Sequence, residues 1–163
     1  MTLKMNAKNV KEPFVFEVPV KKLGTLVKLQ PGITKKSKDF SYTVDYFEMT
    51  PLMTKLTVNS KGKVPAAAKT KSKGKPSQMF YDIADEKGNV IQANLSDTEI
   101  KKKPGATNKV MLQYTSFKAV PKTITIKPFT YTIDKKGEIV EESGSIRWAK
   151  TYYKDLEMKI KVK

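Results

Sequence analysis

The chain has 163 residues, among them 31 lysines, one arginine and 16 acids, with no histidine and no cysteine, giving a formal net charge of +16. A domain of this length buries roughly 70% of its unfolded surface, so it stands without staples, and the missing thiols and imidazoles exclude disulfides and the Cys and His ligand sets of structural zinc. The same absences remove the usual proton shuttle and the best thiol nucleophile at neutral pH, which argues against an enzyme.

Charge is unevenly spread. Residues 49–81 and 100–133 hold seven lysines each and no acid, which accounts for 14 of the 16 excess charges. A polyanion-facing surface on an otherwise balanced domain is the expectation.

Along the chain the dominant hydrophobic period is two. Residues 1–11 are polar and basic without the apolar run of a secretory signal, and no run of 18 apolar residues occurs, so any targeting or membrane segment is expected outside this sequence. Phe14, Phe16, Val18 and Val20 alternate with Val15, Glu17 and Pro19, the pattern of a half-buried strand. A strand is expected over 23–30 and a helical turn over 34–38. Phe40, Tyr42, Val44 and Tyr46 then alternate with Ser41, Thr43 and Asp45, and a partner strand follows over 52–58.

Residues 61–77 read KGKVPAAAKTKSKGKPS, with six lysines, no acid and little that could enter a core. A structureless link of this length is uncommon inside a domain, so it is expected to be a flexible loop, functional or disordered. Strands are expected over 79–83 and 90–93, joined by Asp85-Glu86-Lys87-Gly88-Asn89. Asp accepts from backbone N–H groups at the entrance of such a turn and Gly takes the left-handed position. A helical turn is expected over 96–101, followed by the basic link 101–109. Further strands are expected over 110–117, 123–127 and 129–133, the last joined to Ile139 and Val140 by Asp134-Lys135-Lys136-Gly137-Glu138. Residues 146–156 have mixed spacing, read as strand, and Leu156, Met158, Ile160 and Val162 alternate with Glu157, Lys159 and Lys161. About ten short strands call for an all-β, antiparallel β-sandwich comprising residues 1–163 as a single domain, because one open sheet would leave a face unburied.

The segment 39–58, DFSYTVDYFEMTPLMTKLTV, resembles the strand, Thr-Pro turn, strand unit of an immunoglobulin-like domain. That domain is the extracellular C-terminal part of single-pass, anti-sigma-factor-like membrane proteins of Gram-positive bacteria. Residues 14–20, an aromatic followed by Glu17-Val18-Pro19-Val20, and residues 121–128 are similar to flanking strands of the same family. The resemblance implies an immunoglobulin-like fold and an extracytoplasmic address, at the cell surface or membrane-anchored through a segment absent here. It transfers no catalytic motif. The lysine-rich insertion at 61–77 departs from the family's pattern.

Two groups of candidate site residues emerge. Lys61, Lys63, Lys69, Lys71, Lys73 and Lys75, with Lys101, Lys102 and Lys103, are candidates for contact with a polyanion, which in such a setting is an anionic envelope polymer, a lipid surface or a partner protein. Arg147, Trp148, Tyr152 and Tyr153 form an aromatic and cationic cluster suited to a sugar or a protein interface, against the commoner outcome that Trp148 and one Tyr enter the core. A lone arginine and a lysine loop without aromatics argue against sequence-specific nucleic-acid reading. No metal site, cofactor motif or catalytic residue is expected. The reading is a non-enzymatic binding or sensory domain, with a structural spacer or a non-specific nucleic-acid binder as alternatives.

Overall fold

The computed structural model describes residues 2–19, 24, 26–66, 74–95, 100, 106–141 and 148–163. Among them lie β1 (Thr2–Met5), β2 (Phe14–Glu17), β3 (Val27–Leu29), β4 (Ile33–Ser37), β5 (Phe40–Met49), β6 (Met53–Gly62) and β7 (Lys75–Pro76). These are followed by β8 (Phe80–Asp85), β9 (Val90–Ile91), β10 (Ala93–Asn94), β11 (Thr107–Thr115), β12 (Thr123–Ile133), β13 (Lys150–Tyr152), a 3-10 turn (Lys154–Leu156) and β14 (Met158–Lys161). The protein is all-β, and every strand pairing is antiparallel. Among the described residues no helix is long and apolar enough to cross a membrane.

Two sheets face each other. The first runs β10-β11-β6-β5-β3 with β4 also on β5, and the second runs β13-β12-β8-β9 with β14 and β7 on β12. Their inner faces share one core, in which Phe40, Tyr42, Phe47, Leu56 and Leu112 of the first sheet meet Tyr81, Ile83, Ile124 and Ile126 of the second. Truncating such a fully buried side chain, Leu56→Ala for example, costs about 2–5 kcal/mol. Polar bonds pin the layers together. The Tyr42 hydroxyl donates to the Leu156 carbonyl at 2.7 Å, and the Tyr114 hydroxyl to the Tyr81 carbonyl at 2.6 Å.

Turn chemistry performs as expected. In the β5–β6 hairpin the Thr50 side-chain oxygen accepts the Met53 N–H at 3.1 Å, with Pro51 fixing the turn. Asp85 Oδ1 accepts the Lys87 and Asn89 N–H groups, and Asp134 Oδ1 the Glu138 N–H, while Gly88 and Gly137 take φ of 84° and 85°.

Several expectations are corrected. Residues 34–37 are strand, because β4 pairs with β5 from Ile33↔Val44 to Ser37↔Phe40, and Lys38 turns, at φ 50°. Residues 2–19 are all exposed: β1, unforeseen in a polar segment, pairs with β2 in a separate hairpin, so the alternation of Phe14, Phe16 and Val18 buries nothing. Tyr46 leaves the core and Phe47 enters it, because Asp45 is an extra residue between the pairs Val44↔Val58 and Tyr46↔Thr57, and a one-residue bulge reverses the faces that follow. The two strands expected on either side of Pro128 are one, β12. Pro128 falls where the partner on that edge changes from β14 to β13, a gap a residue without an N–H can occupy. Residues 146–156 hold both β13 and the 3-10 turn. The strands number 14 among the described residues rather than ten, since edges are broken into short pieces.

The link 61–77 is tied at both ends. Lys61 and Gly62 finish β6, Val64 packs against the core, Lys75 and Pro76 form β7, and Ser77 is fully buried, its N–H donating to the Tyr131 carbonyl at 2.9 Å. Residues 67–73 lie outside the described residues, as does the turn expected over 96–101 apart from Ile100.

Candidate functional site

Period-two geometry decides what the outer face of the first sheet carries. Phe40, Tyr42 and Val44 of β5, Leu56 and Val58 of β6, and Val110 and Leu112 of β11 enter the core, so the residues between them face outward. Register then aligns those residues in rows. One row reads Lys36, Ser41, Lys61, Thr107, and the next reads Thr34, Thr43, Asn59, Lys109. Six of these eight line a depression of about 440 Å³. With strands ~4.8 Å apart, Lys36 and Lys61 start two strands apart, about 10 Å, and Lys61 and Lys109 sit diagonally at about 8 Å. Hydroxyl and amide groups fill the ground between the ammonium groups; the Thr34 and Thr43 hydroxyls share one hydrogen bond at 2.7 Å, and the remaining donors are available to an oxyanion.

Among the described residues these lysines have no carboxylate partner. Among the described residues the ion pairs are Lys127–Glu157 at 3.9 Å and Lys150–Asp82 at 3.0 Å, both on the second sheet. Asp45, the acid closest in the register, is displaced by its bulge and takes the Asn59 side-chain amide. The backbone positions of the three lysines lie about a Debye length apart, so their long side chains can converge on one anion.

Both lysine-dense stretches start from this edge. The Gly62 N–H donates to the Ala106 carbonyl at 2.7 Å, just where β6 ends and β11 is about to begin. Gly62 has φ 95°, and a Cβ there would lie 1.7 Å from the Asp39 carbonyl oxygen, so only glycine fits. Lys69, Lys71, Lys73, Lys101, Lys102 and Lys103 lie outside the described residues.

The remaining candidates separate. Lys63 borders a second depression of about 450 Å³ together with two acids, Asp39 and Asp155. Lys75 stands on β7 in the other sheet, opposite Ile133. Trp148 and Tyr152 share the outer face of the second sheet, 43% and 41% exposed, so Trp148 does not enter the core. Tyr153, one residue on, points the opposite way: it is buried, its hydroxyl within 2.9 Å of the Thr130 hydroxyl and donating to the Pro65 carbonyl at 3.1 Å. Arg147 lies outside the described residues. Sequence reasoning missed Lys36, Ser41, Thr43, Asn59, Thr107 and Lys109. Their signal was present as the polar half of each alternation, but their alignment depends on register, which the sequence does not display.

Residues 27–162 match the profile of a family of unknown function, DUF5643. No curated protein shows significant similarity. A solved structure, the conserved domain protein from Bacillus anthracis, aligns with 93% of the chain at 11% identity and a TM-score of 0.44. The chain spans 52% of that protein's length.

Proposed function

We propose, from the premise that the chain belongs to DUF5643, a family of unknown function, that it is a non-enzymatic recognition domain for an anionic polymer or anionic lipid surface. The supporting observation is the β4–β5–β6–β11 register, which sets Lys36, Lys61 and Lys109, without an ion-pair partner among the described residues, over a floor of hydroxyl and amide groups and roots both acid-free segments at its edge. The rigid sheet fixes where these charges stand. Affinity then comes from counterion release and falls steeply with salt. In this reading the domain works outside the cytoplasmic membrane as the sensory or binding part of an anti-sigma-factor-like protein, and the polymer belongs to the envelope.

The test compares two variants of equal charge. Lys36→Ser/Lys61→Ser/Lys109→Ser removes the face, and Lys87→Ser/Lys135→Ser/Lys136→Ser removes three lysines from hairpin turns. Binding to polyphosphate and to phosphatidylglycerol vesicles is expected to weaken about tenfold or more in the first and to lose a salt slope of about 2–3, with much smaller changes in the second. Equal losses in the two variants would reduce the interaction to net charge and overturn the proposal.

A further inference from the structure

The second sheet carries an outer face of different chemistry. Phe80, Phe129 and Tyr131 are buried there and pack ring to ring, with centroids 5.9 Å apart for Phe80 and Phe129 and 5.3 Å for Phe129 and Tyr131. On this base stand the two half-exposed rings. Trp148 meets Tyr131 edge-on at 5.3 Å, and Tyr152 meets Phe129 at 5.5 Å. Residues 148, 150 and 152 point the same way along the β13 edge, so Lys150 lies between the rings, its Nζ 4.1 Å from the Phe129 centroid.

Polar groups at this face are already organised. Buried Asp82 accepts from Lys150 Nζ at 3.0 Å and from the Tyr152 hydroxyl at 2.6 Å, and Gln92 Oε1 lies 3.5 Å from the same Nζ. The Tyr152 ring is therefore held from its edge by Phe129 and from its hydroxyl by a carboxylate that cannot move into solvent. The Trp148 ring is held against Tyr131. Such anchored aromatics lose little freedom when a ligand covers them.

Charge distinguishes this face from that of the first sheet. The two lysines at the shelf itself each have a carboxylate, Asp82 for Lys150 and Glu157 for Lys127, while Lys159 and Lys161 stand farther along the same face on β14. Exposed rings beside a neutralised, hydrogen-bonding rim suit a ligand with an apolar C–H face and a girdle of hydroxyls. We infer that this shelf is a binding subsite for a neutral glycan, with pyranose rings stacked on Trp148 and Tyr152 and hydroxyls bonded to Gln92 and Lys150. It is independent of the polyanion face and does not rest on it.

Trp148 is the chain's single tryptophan, so its fluorescence reports the shelf directly. Trimers of N-acetylglucosamine and of glucose serve as probes. At least one is expected to change Trp148 fluorescence saturably, with the affinity unchanged at about 1 M salt, where the Debye length is about 3 Å. Calorimetry is expected to give binding about tenfold or more weaker in Trp148→Ala, with a native circular dichroism spectrum, and undiminished binding in Lys36→Ser/Lys61→Ser/Lys109→Ser. No saturable response to either trimer, equal affinity in Trp148→Ala, or salt-labile binding would each overturn the inference. So would self-association of the protein that Trp148→Ala abolishes, because the shelf would then be covered by a second copy.

Discussion

The Gly62 amide and the Ala106 carbonyl, 2.7 Å apart, join two parts of the chain that are 44 positions distant and each lysine-dense. That bond requires Gly62 in a left-handed conformation against the Asp39 carbonyl. Gly62→Ala is expected to destabilise the protein by about 1–3 kcal/mol from backbone strain alone. Urea denaturation measures this, and a loss below about 0.5 kcal/mol, the usual range for a neutral surface change, would show that the junction is loose.

Asp82 is fully buried, and Lys150 supplies its ionic partner. Lys150→Met is expected to cost about 3 kcal/mol by leaving an uncompensated carboxylate in place. Adding Asp82→Asn should recover most of that loss, since the buried charge is then gone while the Tyr152 hydroxyl keeps an acceptor. A double-mutant cycle by chemical denaturation checks the coupling.

Burial pushes the phenols of Tyr42, Tyr81 and Tyr114 upward, and that of Tyr131 up to about 12. The folded state therefore holds protons that the unfolded chain releases near pH 10, so this contribution to stability is complete below about pH 10 and is lost as pH rises above it. Phenolate absorbance from these residues should appear together with loss of near-ultraviolet circular dichroism. Titration of every tyrosine near pH 10 with the fold intact would contradict the packing. Tyr42→Phe, which leaves the buried Leu156 carbonyl without its donor, is expected to cost about 1–2 kcal/mol at neutral pH.

At the β8–β9 turn, partial desolvation raises the Asp85 carboxyl, but hydrogen bonds from the Asn89 side chain and the Asn89 and Lys87 amides outweigh it and hold the group below its usual value. A lowered carboxylate contributes stability above the unfolded value near pH 4 and loses it as pH falls through the folded one. Asp85→Ala is accordingly expected to cost about 1 kcal/mol at pH 7, with most of the difference gone near pH 2. Urea curves of wild type and variant at the two pH values measure it. An undiminished difference in acid would mean that the hydrogen bonds do not depend on the charge.

Much of the fold was legible because alternation and turn chemistry are local. The Thr50-Pro51 turn, both Asp-to-Gly turns and the strands around Tyr42, Leu112 and Ile160 follow from neighbours in sequence. What escaped is not local. The bulge at Asp45 is set by the partner strand, and it exchanged Tyr46 for Phe47 in the core. Lys36 looked helical beside Lys35 and Lys38 because a polar edge strand has no apolar alternation to betray it. The site was half legible: Lys61 was singled out for its charge run, whereas Lys36, Lys109 and the Ser and Thr floor became neighbours only through the β4–β5–β6–β11 register.

The account's central claim is that one face of the first sheet, not net charge, receives the anion. Amide and side-chain chemical shifts followed by nuclear magnetic resonance during titration with polyphosphate test this most directly. The account predicts that shift changes concentrate at Lys36, Ser41, Thr43, Asn59, Lys61, Thr107 and Lys109 and in the adjoining lysine-dense links. Changes spread evenly over the exposed lysines, those of the second sheet and its turns such as Lys87, Lys135 and Lys159 included, would contradict it.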